Sequence, residues 1–157
     1  MGKEVLWKNN GAMLRPREYH SKFRQDIKLS DIVDNKKYLL YIYILSEHIY
    51  KNTNVISIDG KFANLENIAE VLKLSTRKAK DFLKFAESKQ IIKQMNNVVD
   101  CKKKGFYAFN PVYVNSCKYI DIDLYLTFKD TLDDLFPNWI VDKYTNWVNE
   151  CKLSSGN

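Results

Sequence analysis

The chain has 157 residues, 45% of them hydrophobic and 13% aromatic, with a formal net charge of +6. That length favours one domain with room for a core, and that apolar content excludes a disordered chain. No run of about 18 apolar residues occurs, which excludes a membrane-spanning helix, and Met1 is followed by polar residues instead of a signal peptide's apolar core.

Cys101, Cys117 and Cys151 form an odd set with no close spacing, which suits a reducing compartment, so a cytoplasmic protein is expected. The charge is unevenly spread. From Lys73 to Lys104, ten Lys or Arg stand against Asp81, Glu87 and Asp100, a net of +7; from Tyr119 onward, three Lys stand against seven acids, a net of −4. The basic stretch points to a polyanion partner, because Lys and Arg contacts to phosphate supply most non-specific DNA affinity.

Residues 1–28 read as an N-terminal segment. Val5-Leu6-Trp7 is either a short strand or a docking segment, Asn9-Asn10-Gly11 is a turn signal, and Pro16 argues against a helix before Arg17. Arg15, Arg17, Lys22 and Arg24, interleaved with Tyr19, His20 and Phe23, make the segment mildly basic. It reads as packed on the body, with an arm along a nucleic-acid backbone as the alternative.

Leu29 to Tyr50 reads as a helix, with Ser30 or Asp34 as its cap. Tyr38 to Leu45, together with Ile49, is apolar or aromatic nearly all round, which predicts a helix buried on most sides. Asn52-Thr53-Asn54 breaks it, Val55-Ile56-Ser57-Ile58 reads as a short strand, and Asp59-Gly60 supplies a turn.

Asn64 then caps a short helix whose Leu65, Ile68, Ala69 and Leu72 share one face. Lys73-Leu74 makes a tight turn, and Ser75 caps a second helix, residues 75–89, with Ala79, Phe82, Leu83 and Ala86 as its inner stripe. Two short helices joined by a three- to four-residue turn are the helix-turn-helix arrangement. Ser75, Thr76, Arg77, Lys78, Lys80 and Lys84 lie along the cap and outer side of the second helix, where Asp81 also faces outward. Ile91-Ile92, the polar stretch 93–104 and Gly105 to Asn110 read as strand, basic loop and strand, with Lys102, Lys103 and Lys104 near the tip.

Lys118 to Phe136 reads as a further helix burying Ile122, Leu124, Tyr125, Phe128, Leu132 and Leu135, with Asp121 and Asp123 suiting the dipole at its start. Phe136-Pro137-Asn138 interrupts, Trp139 to Cys151 forms a last helix, and residues 153–157 read as a frayed tail. The whole is mainly α with a small β-hairpin, an α+β class. Residues 29–115 form the basic domain, and residues 116–152 form a C-terminal helical extension packed on it.

Chemistry is poorly represented. His20 and His48 are the only histidines, no Cys/His spacing fits zinc, and the five glycines form no phosphate-binding pattern. The aspartates read as helix starts and solvated faces, not as ligands converging on an ion. No enzyme, no metal and no cofactor is expected.

The run Ile68-Ala69-Glu70-Val71-Leu72, with Leu74-Ser75, the exit Glu87 to Ile92, and Tyr107-Ala108-Phe109-Asn110-Pro111 resemble winged helix-turn-helix proteins. More narrowly, the Asn-Pro ending resembles replication-initiator-type or accessory proteins of Gram-positive plasmids and phages. The likeness covers roughly residues 38–115. It departs from the pattern in its long wing and C-terminal extension. The resemblance implies double-stranded DNA binding through Ser75, Thr76, Arg77, Lys78, Lys80 and Lys84 and through the wing lysines Lys102, Lys103 and Lys104, in replication, transfer or transcription control. It also implies a homodimer reading paired half-sites, to which the apolar load of the 29–50 helix adds. Two alternatives stand beside it. One is a winged helix used for protein contact in a replication or transfer complex, through the acidic, aromatic C-terminal extension. The other is a small-molecule or redox-sensing regulator, suggested by Cys101 in the wing.

Overall fold

The computed structural model describes residues 5–8, 11–14, 19–20, 23–24 and 28–155. Among them the chain forms a mainly helical α+β fold in the order β1 (Val5–Lys8), β2 (Gly11–Leu14), β3 (Tyr19–His20), β4 (Phe23–Arg24), α1 (Lys36–Ser46), β5 (Ser57–Ile58), β6 (Lys61–Phe62), α2 (Leu65–Leu72), α3 (Thr76–Ser88), β7 (Ile92–Gln94), β8 (Tyr107–Phe109), α4 (Ile122–Thr127), α5 (Lys129–Leu135) and α6 (Asn138–Ser155). The strands pair with their sequence neighbours as four antiparallel hairpins. The turn read at Asn9-Asn10, and Arg15, Pro16, Arg17 and Lys22, lie outside the described residues. No helix among the described residues is long and apolar enough to cross a membrane.

Two apolar clusters hold these elements. The first gathers Ala12 of β2, Met95, Ala108, Ile120 and the inner faces of α4, α5 and α6, with Trp7, Val98 and Phe106 packed on its edge. Tyr144 is its hub. The ring stacks on Tyr125 with centroids 4.1 Å apart and meets Trp7 edge-on at 4.9 Å. Its buried hydroxyl donates to the Ile120 carbonyl at 2.5 Å and accepts the Ala12 N–H at 2.9 Å, while Ile120 N–H donates to the Ala12 carbonyl at 2.7 Å. The N-terminal hairpin is thus docked onto the last helix. Val5-Leu6-Trp7 is both a strand and a docking segment.

The second cluster joins α1, α2, α3 and the inner side of the β7–β8 hairpin through Ile42, Leu45, Ile68, Leu72, Phe82, Leu83, Ala86, Ile92 and Phe109. Two buried asparagines bond the backbone segments around β8. Asn54 donates to the Phe109 and Val114 carbonyls and accepts the Ser116 N–H. Asn110 donates to the Gln90 carbonyl and accepts the Val112 N–H.

Several sequence expectations are corrected. The 29–50 helix is a short 3-10 turn at Leu29–Asp31 followed by α1, whose cap is Asn35, accepting the Tyr38 N–H, and not Ser30 or Asp34. Past Ser46 the chain folds back, as Tyr50 N–H donates to the Val55 carbonyl and Ile49 bridges Ile56. Nor is α1 buried on most sides: Leu40 and Tyr43 are 55% and 43% exposed. The 55–58 strand divides. Ser57-Ile58 pairs with Lys61-Phe62 around Asp59-Gly60, both at positive φ as a two-residue hairpin turn requires, while Val55 bridges Ala108.

The 118–136 helix starts only at Ile122, because Ile120 is drawn into an extended bridge with Ala12, and it is broken at Phe128 (φ −115°, ψ 31°). At the end of the chain α6 runs through Ser155, past the residue where fraying was expected, and Trp139 at its start is 49% exposed.

Gly11 is where the N-terminal hairpin touches the C-terminal part. Its φ is +130°, and a Cβ there would lie 2.1 Å from the Ile120 carbonyl oxygen, which is backbone and cannot swing away. Gly11→Ala is therefore expected to cost about 2 kcal/mol or more of stability, read as a lower urea midpoint. An unchanged midpoint would show that the hairpin does not dock there.

Candidate nucleic-acid interface

The α2–α3 unit is built from local instructions. Asn64 and Asn67 form a reciprocal cap, each side chain accepting the other's N–H, at 2.8 and 3.1 Å. The helix ends where Lys73 turns left-handed (φ 57°, ψ 44°), letting Leu74 N–H reach the Ala69 carbonyl at 2.9 Å. Ser75 Oγ then accepts the Lys78 N–H at 3.2 Å and starts α3. Ala79, Phe82, Leu83 and Ala86 are all buried. Phe82 is gripped edge-on by Tyr38 and Tyr41 of α1, at 5.3 and 5.4 Å, which fixes the rotation of α3 about its axis.

That rotation decides which cations face outward. Arg77, Lys80 and Lys84 are exposed and spaced three, four and seven residues apart, so they share one strip opposite the buried stripe. Lys78 is also exposed, but it lies about 100° around the axis from Arg77, on the side of Phe85. Ser75 and Thr76 are exposed at the N-terminal end, where the first turn carries no acid. Among the described residues, none of these four cations is ion-paired.

The basic loop is arranged differently. Cys101–Lys103 is a 3-10 turn capped by Asp100, and the loop lies against the C-terminal extension. Asp123, only 2% exposed, accepts the Val99 N–H at 2.6 Å and the Asp100 N–H at 3.4 Å. Lys103 Nζ lies 2.8 Å from Asp121 and 3.2 Å from Asp123. Burial opposes the Lys103 charge, but hydrogen bonds and the two carboxylates outweigh it and hold its pKa above the usual lysine range. Lys102 and Lys104 stay exposed.

Of the nine residues expected at the interface, six lie along α3 and its cap. Two stand on the loop, and Lys103 is committed to an internal ion pair. Asp121 caps α4 as its place suggests, accepting the Leu124 N–H at 2.8 Å. The role of Asp123 in holding the loop has no local signal, since its partners lie 20 to 24 residues earlier.

Among the described residues, no three His, Cys, Asp or Glu side chains come together as metal ligands, and His48 is half-buried. Cys117 is buried with its thiol donating to Asn115 Oδ1, and Cys101 is exposed.

Two outcomes are expected. Lys73→Gly removes the left-handed penalty at the turn between α2 and α3 and is expected to stabilise the protein by about 0.5–1 kcal/mol, read as a higher melting temperature. Alkaline pH is expected to destabilise it. Burial, aided by the Asp121 charge, pushes the Cys117 thiol up to about 12, and burial likewise raises the Tyr125 and Tyr144 phenols. The unfolded chain ionises these groups first, so stability falls as pH climbs above the ordinary thiol value of about 8.5. The Lys103 contribution is complete below the ordinary lysine value and is lost as pH passes its raised one, the same direction. Denaturation midpoints flat from pH 7 to 11 would contradict this.

No family model matches the chain, and neither a curated protein nor a solved structure matches it, so the chemistry of this basic surface is the ground for a functional reading.

Proposed function

We propose that the protein binds double-stranded DNA through α3, as a non-enzymatic factor of a plasmid, phage or other mobile element acting in replication, transfer or transcription control. The observation that carries this reading is the outward strip Arg77, Lys80 and Lys84, engaged in no ion pair among the described residues and mounted on a helix started by the Ser75 cap and held by an aromatic clamp. Rigid placement of cations on a helix is what major-groove recognition requires.

A winged helix-turn-helix is the fold this reading favours. The order of α1, an extended segment, α2, α3 and a hairpin supports it. So does the contact of that segment with the hairpin, where Ile56 N–H donates to the Tyr107 carbonyl and Phe109 N–H to the Asn54 carbonyl. Arg77 and Lys80 are assigned to base edges, Arg with guanine being the commonest specific pair. Lys78, Lys84, Lys102 and Lys104 are assigned to phosphates, which position the protein without reading sequence. Lys103 is not, because its charge is answered internally.

A second reading, a module for protein contact, draws on Trp139 and Leu153, which stand 49% and 76% exposed on α6. The two separate by salt dependence. A DNA site selected from a random pool is expected to show binding that weakens steeply with salt. Arg77→Ala is expected to cost about 1–3 kcal/mol on that site and little on random DNA. Lys102→Ala is expected to weaken binding to every sequence and to lower the salt slope by about 1. Absence of salt-dependent binding would remove the DNA reading and leave the protein-contact one.

A further inference from the structure

The loop that carries Lys102, Lys103 and Lys104 is held down by the start of α4. Four contacts converge there. Asp123 takes two consecutive loop amides, Val99 and Asp100, and Lys103 Nζ lies between Asp121 and Asp123. Carboxylate oxygens at 2.8 and 3.2 Å offer an ammonium the same charge-assisted acceptors that a phosphate group would. One partner is replaceable: Asp121 is 42% exposed at its side chain, whereas Asp123 is buried at 3%.

We propose that Asp121 and Asp123 form a built-in phosphate mimic that withholds Lys103 from nucleic acid, so that the C-terminal extension restrains the DNA affinity of the loop. This inference rests on the DNA-binding reading above. Asp121 is the restraining group and Asp123 the anchor that keeps the loop close whether or not Lys103 is engaged. Bound DNA presents phosphates that compete for Lys103, and any weakening of the Asp121 contact moves that competition toward DNA.

Asp121→Asn tests it. An asparagine caps a helix as well as an aspartate does, so α4 keeps its Leu124 hydrogen bond while Lys103 loses one charge partner. Three proteins are compared with the wild type on a single random-sequence duplex across a salt series: Asp121→Asn, the same change with Lys103→Ala, and Asp134→Asn, which removes one charge from an exposed position on α5.

Asp121→Asn is expected to bind about threefold or more tightly near 0.1 M salt, with a slope steeper by about 0.9, equivalent to one further phosphate. Adding Lys103→Ala is expected to abolish the gain, and Asp134→Asn is expected to produce a smaller gain with no change of slope. Equal behaviour of Asp121→Asn and Asp134→Asn, or a gain that survives Lys103→Ala, would overturn the restraint while leaving the DNA reading intact. A wild-type protein with no salt-dependent binding would remove the DNA reading, and the restraint with it.

Discussion

Buried hydrogen bonds from Asn54 and Asn110 tie together the backbone segments around β8 on which the junction of α3 with the hairpin rests. Both are almost fully buried, and each satisfies backbone groups on segments that would otherwise end in unpaired carbonyls and amides. Asn110 ties Gln90, two residues past α3, to the turn after β8, with its own N–H donating to the Ile91 carbonyl at 2.8 Å. Asn54 ties the extended segment before β5 to β8 and to residues 114–116. Removing either amide would leave several buried polar groups without partners at once, and each such group costs about 1–3 kcal/mol. These directional bonds set how α3 leaves the body and where the hairpin begins.

Formal charge is a poor guide to what a basic surface offers. The run Lys102-Lys103-Lys104 carries three adjacent cations, yet the middle one faces two carboxylates at contact distance, and its field is largely cancelled before it reaches solvent. On α3 the opposite holds. Asp81 lies four residues from Arg77 but makes no ion pair there, and the strip stays electropositive in spite of its acidic neighbour. The difference comes from the scaffold. A helix spreads its side chains outward, while the loop folds back against an extension whose net charge is negative.

What is legible in the sequence follows the range of the interactions. The α2–α3 unit can be read because all it needs lies within about four residues: the caps at Asn64 and Ser75, the apolar stripes, and a turn at Lys73-Leu74. The turn at Asp59-Gly60 is readable for the same reason. The start of α1 is not, because Ser30, Asp34 and Asn35 are all good caps, and the choice among them depends on tertiary packing. Residues 118–121 carry helical periodicity and are nevertheless extended, since Ala12 claims Ile120 for a backbone bridge. The diversion of Lys103 is equally invisible, because its partners stand 18 and 20 residues further on.

The Ala12–Tyr144 hydrogen bond spans 132 positions. The β1–β2 hairpin, paired with itself and bridged to Ile120, therefore cannot complete its docking until α6 exists. Closure of the cluster around Tyr144 waits for α6, with Trp7 and the Tyr125 ring face left wet in the meantime. The cluster around Phe82 needs only contiguous middle segments and can assemble first. Folding should thus run from the centre outward, with α3 already seated before the two ends of the described chain meet.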